Sequence, residues 1–212
     1  MSSTGSGTDD LAAPRRSRVN TRTRLVEAAA EVFAAKPFGK VTVDDLVGAA
    51  GFTRGAFYSN FSSIEELFFE VYADLAERML AAVDAAIAGV PPEEFSLESF
   101  GVVFDALHPF GRTWFLIHQE LVLQAVRDPL ARERLARHAE ELQGPMEQTI
   151  GQVLDLLGRE PVMTLSDLTG VMLALYLHGL GNEQLGAGSL DADRLVSEVL
   201  PQLVLGLSRP RA

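Results

Sequence analysis

The stretch TVDDLVGAAGFTRGAFYSNFSSIEELF, residues 42–68, decides the fold. Thr42 is placed to cap a helix N-terminus, with Asp45 three residues on as the reciprocal acidic partner of a capping box. Val43, Leu46, Val47 and Ala50 then fall on one helical face. Gly51 closes that helix where a left-handed residue is wanted. Thr53 is a second capping residue, for a very short helix from Arg54 to about Asn60. Ser62 or Ser63, paired with Glu65 or Glu66, opens a longer helix with Ile64, Leu67, Phe68, Val71, Leu75 and Met79 as its apolar stripe. Two short helices joined by a tight turn make residues 43–60 a candidate helix-turn-helix.

Upstream of this stretch, Leu25, Ala28, Ala29, Val32 and Phe33 repeat with the spacing of one amphipathic helix, which Lys36-Pro37 should end. Downstream, the long helix runs to about Ala88, where Gly89-Val90-Pro91-Pro92 breaks it. Further periodic segments follow at roughly 96–107, 110–127, 130–157, 165–184 and 191–207. Pro109, Asp128-Pro129, Gly158 to Pro161 and Gly186 to Gly188 punctuate them, Gly144-Pro145 should kink or split the third, and Pro201 should kink the last. Strand alternation of useful length and fixed-period repeats are both missing from the sequence, so the expected class is all-α.

A chain of 212 residues with 47% hydrophobic content has enough apolar side chain to fold without covalent staples. It contains no cysteine, which excludes disulfides, thiolate metal sites and thiol redox sensing. The polar opening MSSTGSGTDDLAAPRRSRVN does not resemble a secretory signal, and no stretch is long enough to span a bilayer, so a cytoplasmic protein with a disordered basic arm over residues 1–20 is expected. The net charge of −11 is unevenly spread. Residues 1–61 hold eight basic and six acidic side chains, net +2, while the remainder holds ten and 23, net −13. A mildly basic head on an acidic body suits a protein that presents one end to phosphate.

The run from Thr42 to Phe68, extended back to Arg22 through LVEAAAEVFAAK, resembles the signature of the TetR family of transcriptional regulators. The resemblance implies a helix-turn-helix DNA-binding domain over residues 21–67 and a helical ligand-binding and dimerisation domain over 68–212. It implies a homodimer on a palindromic double-stranded operator, acting as a ligand-responsive repressor and nucleoid-associated when bound. Physically, Gly55 would let the short helix pack closely and Phe57 and Phe61 would anchor it. Thr53, Arg54, Tyr58, Ser59 and Asn60 would then face outward as DNA contacts. The resemblance puts Thr42, Tyr58 and Asn60 on phosphates; Arg54 is the expected base reader, and Arg22 and Arg24 are expected at backbone or minor groove. Three positions depart from the family pattern: Pro37 where Gly is usual, Asn60 where His is usual, and Ile64 where Lys is usual.

His108, Phe110, Trp114, Phe115 and His118 cluster in one segment, with Met172, Tyr176 and His178 in another. By resemblance, Trp114, His118 and Tyr176 are candidate contacts for a small apolar or amphipathic effector. Leu168, Met172, Leu175, Val199 and Leu203 on the late helices are candidate dimer contacts. The four histidines show no metal-ligand spacing, and neither a metal nor a cofactor is expected. Nucleophile–base pairs and paired carboxylates at recognisable spacing are lacking, which argues against an enzyme. The competing reading is a helical protein-interaction module of TetR-like fold that has lost operator binding.

Overall fold

The computed structural model describes residues 13–186 and 194–211. In chain order come α1 (Ala13–Ala35), a 3-10 turn (Phe38–Lys40), α2 (Val43–Ala50), α3 (Arg54–Tyr58) and α4 (Ile64–Ala88). Two more 3-10 turns (Pro92–Glu94 and Leu97–Ser99) lead to α5 (Phe100–Arg127), α6 (Pro129–Leu156), a strand β1 (Arg159–Pro161) and α7 (Leu165–Leu185). A π-helical stretch (Leu195–Val199), α8 (Leu200–Gly206) and a strand β2 (Ser208–Pro210) close the chain. The all-α class holds. Among the described residues no helix is long and apolar enough to cross a membrane.

The chain divides into two compact units after Asp74, inside α4. In the first unit, Leu25, Val26, Ala29, Ala30 and Phe33 of α1 and Leu46, Val47 and Ala50 of α2 are buried together with Leu67, Phe68 and Val71 of α4. Phe57, Phe61 and Phe68 are at most 2% exposed, each supplying roughly 1.5–3 kcal/mol of transfer free energy. The rings of Phe33 and Phe38 both lie 4.7 Å from that of Phe68, so the residue after Pro37 is drawn into the same aromatic cluster. Pro37 itself sits at φ −55°, ψ 139° and its carbonyl accepts from Lys40 N at 2.9 Å. That turn needs no left-handed residue, which is why proline serves where glycine is usual.

In the second unit, α5, α6 and α7 pack on one another, burying Trp114, Ile117 and Leu121 of α5, Leu154 of α6, and Leu168, Tyr176 and Leu180 of α7. Thr149 of α6 is buried and donates to Asp84 of α4 at 2.7 Å.

Several expectations are corrected here. The expected arm lies outside the described residues as far as residue 12, but Ala13 to Asn20 form the first turns of α1. Pro109 does not separate two helices: α5 runs through it, giving up one backbone bond while buried residues on both sides keep the helix in register. Pro145 likewise leaves α6 unsplit. The expected last helix, 191–207, begins in part outside the described residues; from Leu195 it opens as a π-helical stretch, with Pro201 in the first turn of α8, where its missing N–H costs least. Residues 159–161 and 208–210 form an antiparallel ribbon, pairing Arg159 with Pro210 and Pro161 with Ser208. The Arg159 side chain secures it, donating to Ser208 Oγ at 2.6 Å, to Ser208 O at 2.7 Å and to Leu205 O at 3.1 Å.

Candidate nucleic-acid interface

The start of α2, the turn after it and the start of α3 are each fixed by residues the sequence singles out. Thr42 Oγ1 accepts from Asp45 N at 3.2 Å while the Asp45 carboxylate accepts from Thr42 N at 3.0 Å, completing the capping box. Lys36 Nζ adds a 2.6 Å contact to Asp45. The carboxyl of Asp45 is thereby pushed down to about 2, first by the Lys36 hydrogen bond and then by those from Thr42. Gly51 takes φ 71°, ψ 33° and lets Phe52 N bond back to Val47 O at 2.9 Å. Thr53 Oγ1 accepts from Ala56 N at 3.2 Å, capping α3.

Phe57 faces the core and its ring lies 5.9 Å from that of Phe61, so α3 is pinned by two aromatic anchors. Thr53, Arg54, Tyr58 and Ser59 are left on the exposed side, with Tyr58 62% exposed. Thr42 is exposed at the start of α2. Asn60 departs from the expected outward set: it is half-buried, and its side-chain amide donates to Ala56 O at 2.8 Å and Ser59 Oγ at 3.2 Å. Gly55 is exposed, and a Cβ there would meet nothing closer than Thr53 Oγ1 at 3.7 Å, so close helix packing does not explain this glycine.

Arg22 is engaged inside the first unit. It donates from Nη1 to Asn60 O at 2.7 Å and from Nε to Glu70 at 3.1 Å, and its guanidinium lies 4.2 Å over the Phe61 ring. It ties the end of α3 to α1 and α4. Arg24 is exposed and lies 4.9 Å over Phe52. Sequence reasoning missed Asp44, whose carboxylate takes two bonds from Arg54, one from Nε at 2.5 Å and one from Nη2. The hydrogen bond from Arg54 holds the Asp44 carboxyl below the usual carboxylate range.

In the second unit, Gly111, Trp114 and His118 occupy one face of α5 at helical spacing. The Trp114 and His118 rings stack with centroids 5.0 Å apart, and burial pushes the His118 imidazole down, favouring its neutral form. Tyr176 of α7 is 7% exposed, and its hydroxyl lies 3.4 Å from where a Cβ on residue 111 would sit. That hydroxyl has no hydrogen-bond partner among the described residues, and burial pushes its pKa up. Gln124 Nε2 is buried and unpartnered in the same sense.

The expected dimer contacts separate. Leu168 is 0% exposed within the single chain and packs in its core, which removes it from any contact surface. Met172, Leu175, Val199 and Leu203 are half-buried, and beside them Val171 is 37% exposed. Among the described residues no three His, Asp or Glu side chains gather as metal ligands.

Residues 25–71 match the family model described as bacterial regulatory proteins, tetR family. The chain is 30% identical over 122 residues to the HTH-type transcriptional regulator CymR of Pseudomonas putida, covering 58% of this chain and 59% of that protein. It is 28% identical over 85 residues to the HTH-type transcriptional regulator YerO of Bacillus subtilis, covering 39% of this chain and 29% of that one. The chain therefore spans less than two thirds of the length of these curated relatives. Beyond the shared segment the likeness is one of fold: a transcriptional regulator from Rhodococcus sp. RHA1 superposes with a TM-score of 0.69 at 16% identity, covering 88% of this chain and 96% of that one. The N-terminal helix-turn-helix domain of the chain thus matches that of the tetR family of bacterial regulatory proteins.

Proposed function

We propose that the protein is a sequence-specific DNA-binding repressor that acts as a homodimer on a two-fold symmetric operator and releases it when a small molecule binds the second unit. The observation that carries this reading is the rigid placement of α3. Phe57 and Phe61 anchor it, Thr53 caps it, and Arg54, Tyr58 and Ser59 stand together on the exposed side. Such a face fits the major groove, with Arg54 reading a base and Thr42, Tyr58 and Ser59 positioning on phosphates. Arg22 and Asn60 act one step back, holding α3 against α1 and α4.

The effector reading rests on Tyr176, whose buried hydroxyl is an unfilled hydrogen-bonding group beside the Trp114 and His118 face. A largely apolar molecule with an acceptor atom would satisfy it. Met172, Leu175, Val199 and Leu203, with Val171 beside them, supply the surface for a second copy. On this reading the protein works in the cytoplasm, at the nucleoid when bound, and catalyses no reaction.

The test is selection of bound sequences from a random duplex pool, followed by affinity at several salt concentrations. A two-fold symmetric site with steep salt dependence is the expected result. Absence of any enriched sequence, from protein shown to be folded, would move the assignment to a protein-interaction module.

A further inference from the structure

We propose that Asp44 is a positioning residue for base readout: its carboxylate grips one edge of the Arg54 guanidinium and aims the opposite edge at a guanine. The proposal rests on the reading of Arg54 as the base contact.

The grip crosses the turn. Asp44 lies in the first turn of α2 and Arg54 is the first residue of α3. Two bonds fix the fork in its plane, from Nε at 2.5 Å and from Nη2. The pair is open to solvent, with side chains 65% and 63% exposed, so fold stability gives little reason for it. A carboxylate on a face meant for phosphates also repels them, and it needs another role to be explained there. The donor count supplies that role. Arg54 has five N–H groups; Nε and one on Nη2 are used, leaving the Nη1–Nη2 edge, whose spacing matches guanine O6 and N7. A long, flexible side chain held in advance also loses less freedom on binding. Asp44 further neutralises a cation that would otherwise attach to any phosphate, which weakens binding to arbitrary sequence. The Asp44 carboxyl is held below its ordinary range by Arg54, so the grip is charged at neutral pH.

Wild type, Arg54→Ala and Asp44→Asn are compared on the duplex enriched from a random pool, on its single-base variants, and on random duplex over a salt series. Wild type should prefer guanine at one position in each half-site by about 5- to 150-fold, the range for a bidentate arginine. Arg54→Ala should abolish that preference. Asp44→Asn should lower it at least about 5-fold at the same position only, while random-duplex affinity rises and the log–log salt slope steepens by about 1.8, the value for one more phosphate contact in each of the two heads. Full guanine preference in Asp44→Asn overturns the positioning role even where Arg54→Ala abolishes it. Unchanged preference in Arg54→Ala overturns the base-reading assignment itself. Should Asp44→Asn prove unfolded by thermal melting, Asp44→Glu replaces it. Its longer arm keeps the charge but shifts the grip, so a lower guanine preference at unchanged random-duplex affinity supports the proposal, and an unchanged preference overturns it.

Discussion

The Asp45 carboxylate joins Lys36, the Thr42 hydroxyl and the Thr42 amide. Its carboxyl is lowered from 3.8 to about 2. A depressed carboxylate stabilises the fold above its unfolded pKa, and that contribution is lost as pH falls through the folded value. The stability gap between wild type and Asp45→Asn should therefore be constant above about pH 4 and close as pH falls toward 2. Urea melts at stepped pH measure the gap; one that stays constant down to pH 2 would show that the ion is not held. Tyr176 gives the opposite kind of residue effect. Its hydroxyl is buried without a partner among the described residues, so Tyr176→Phe should leave stability unchanged or raise it by about 1 kcal/mol, while weakening the proposed effector binding. A drop in melting temperature would mean that the hydroxyl is satisfied in the native fold. The Thr42–Asp45 box was legible because its members are three residues apart. The Asp44–Arg54 grip and the Arg22–Asn60 contact were not, because they form only once α1, α2, α3 and α4 are packed.

Elements were legible wherever a cap or a long apolar stripe marked them, as at α2, α3 and α4, and less so where proline stood inside a helix. Pro109 reads as a breaker by its local cost, yet α5 has Phe100 buried on one side and Trp114, Ile117 and Leu121 on the other, and that burial outweighs one lost bond. The β1–β2 ribbon left no alternation to read because each strand has three residues. Among the side chains that hold it, Arg159 reaches 49 residues along the sequence to Ser208. Arg159→Ala should lower stability by about 1.5–3 kcal/mol, the range for hydrogen bonds from a charged group. It should also speed amide exchange at Val162 and Arg211, whose N–H groups bond to Leu207 O and Gly158 O across the same joint. Unaltered exchange at those two amides would show that backbone pairing alone secures the C-terminal segment.

For the whole molecule, charge and symmetry decide what an isolated domain cannot do. Residues 1–61 carry a net charge of only +2 and the remainder −13, so a single head has little electrostatic hold on DNA and the acidic body adds none. On the proposed function, tight operator binding requires two heads on successive major-groove faces, about 34–36 Å apart, with the second contact made intramolecular by dimerisation. The sequence could not locate the proposed dimer surface unaided, since late apolar helices read alike whether they fill a core or cover a partner. Leu168, at 0% exposure, belongs to the core, while Leu203 remains half-buried on α8. Leu203→Glu would bury a carboxylate if a second copy covers this surface, and it would meet water if none does. The expected outcome is a monomer by sedimentation, with helicity retained and operator affinity reduced at least about 100-fold, the lower end of the gain that linked binding supplies. The variant's salt slope should fall to about half that of wild type, because half the phosphate contacts remain. A dimer of unchanged mass and affinity would place the partner surface on another face of the second unit.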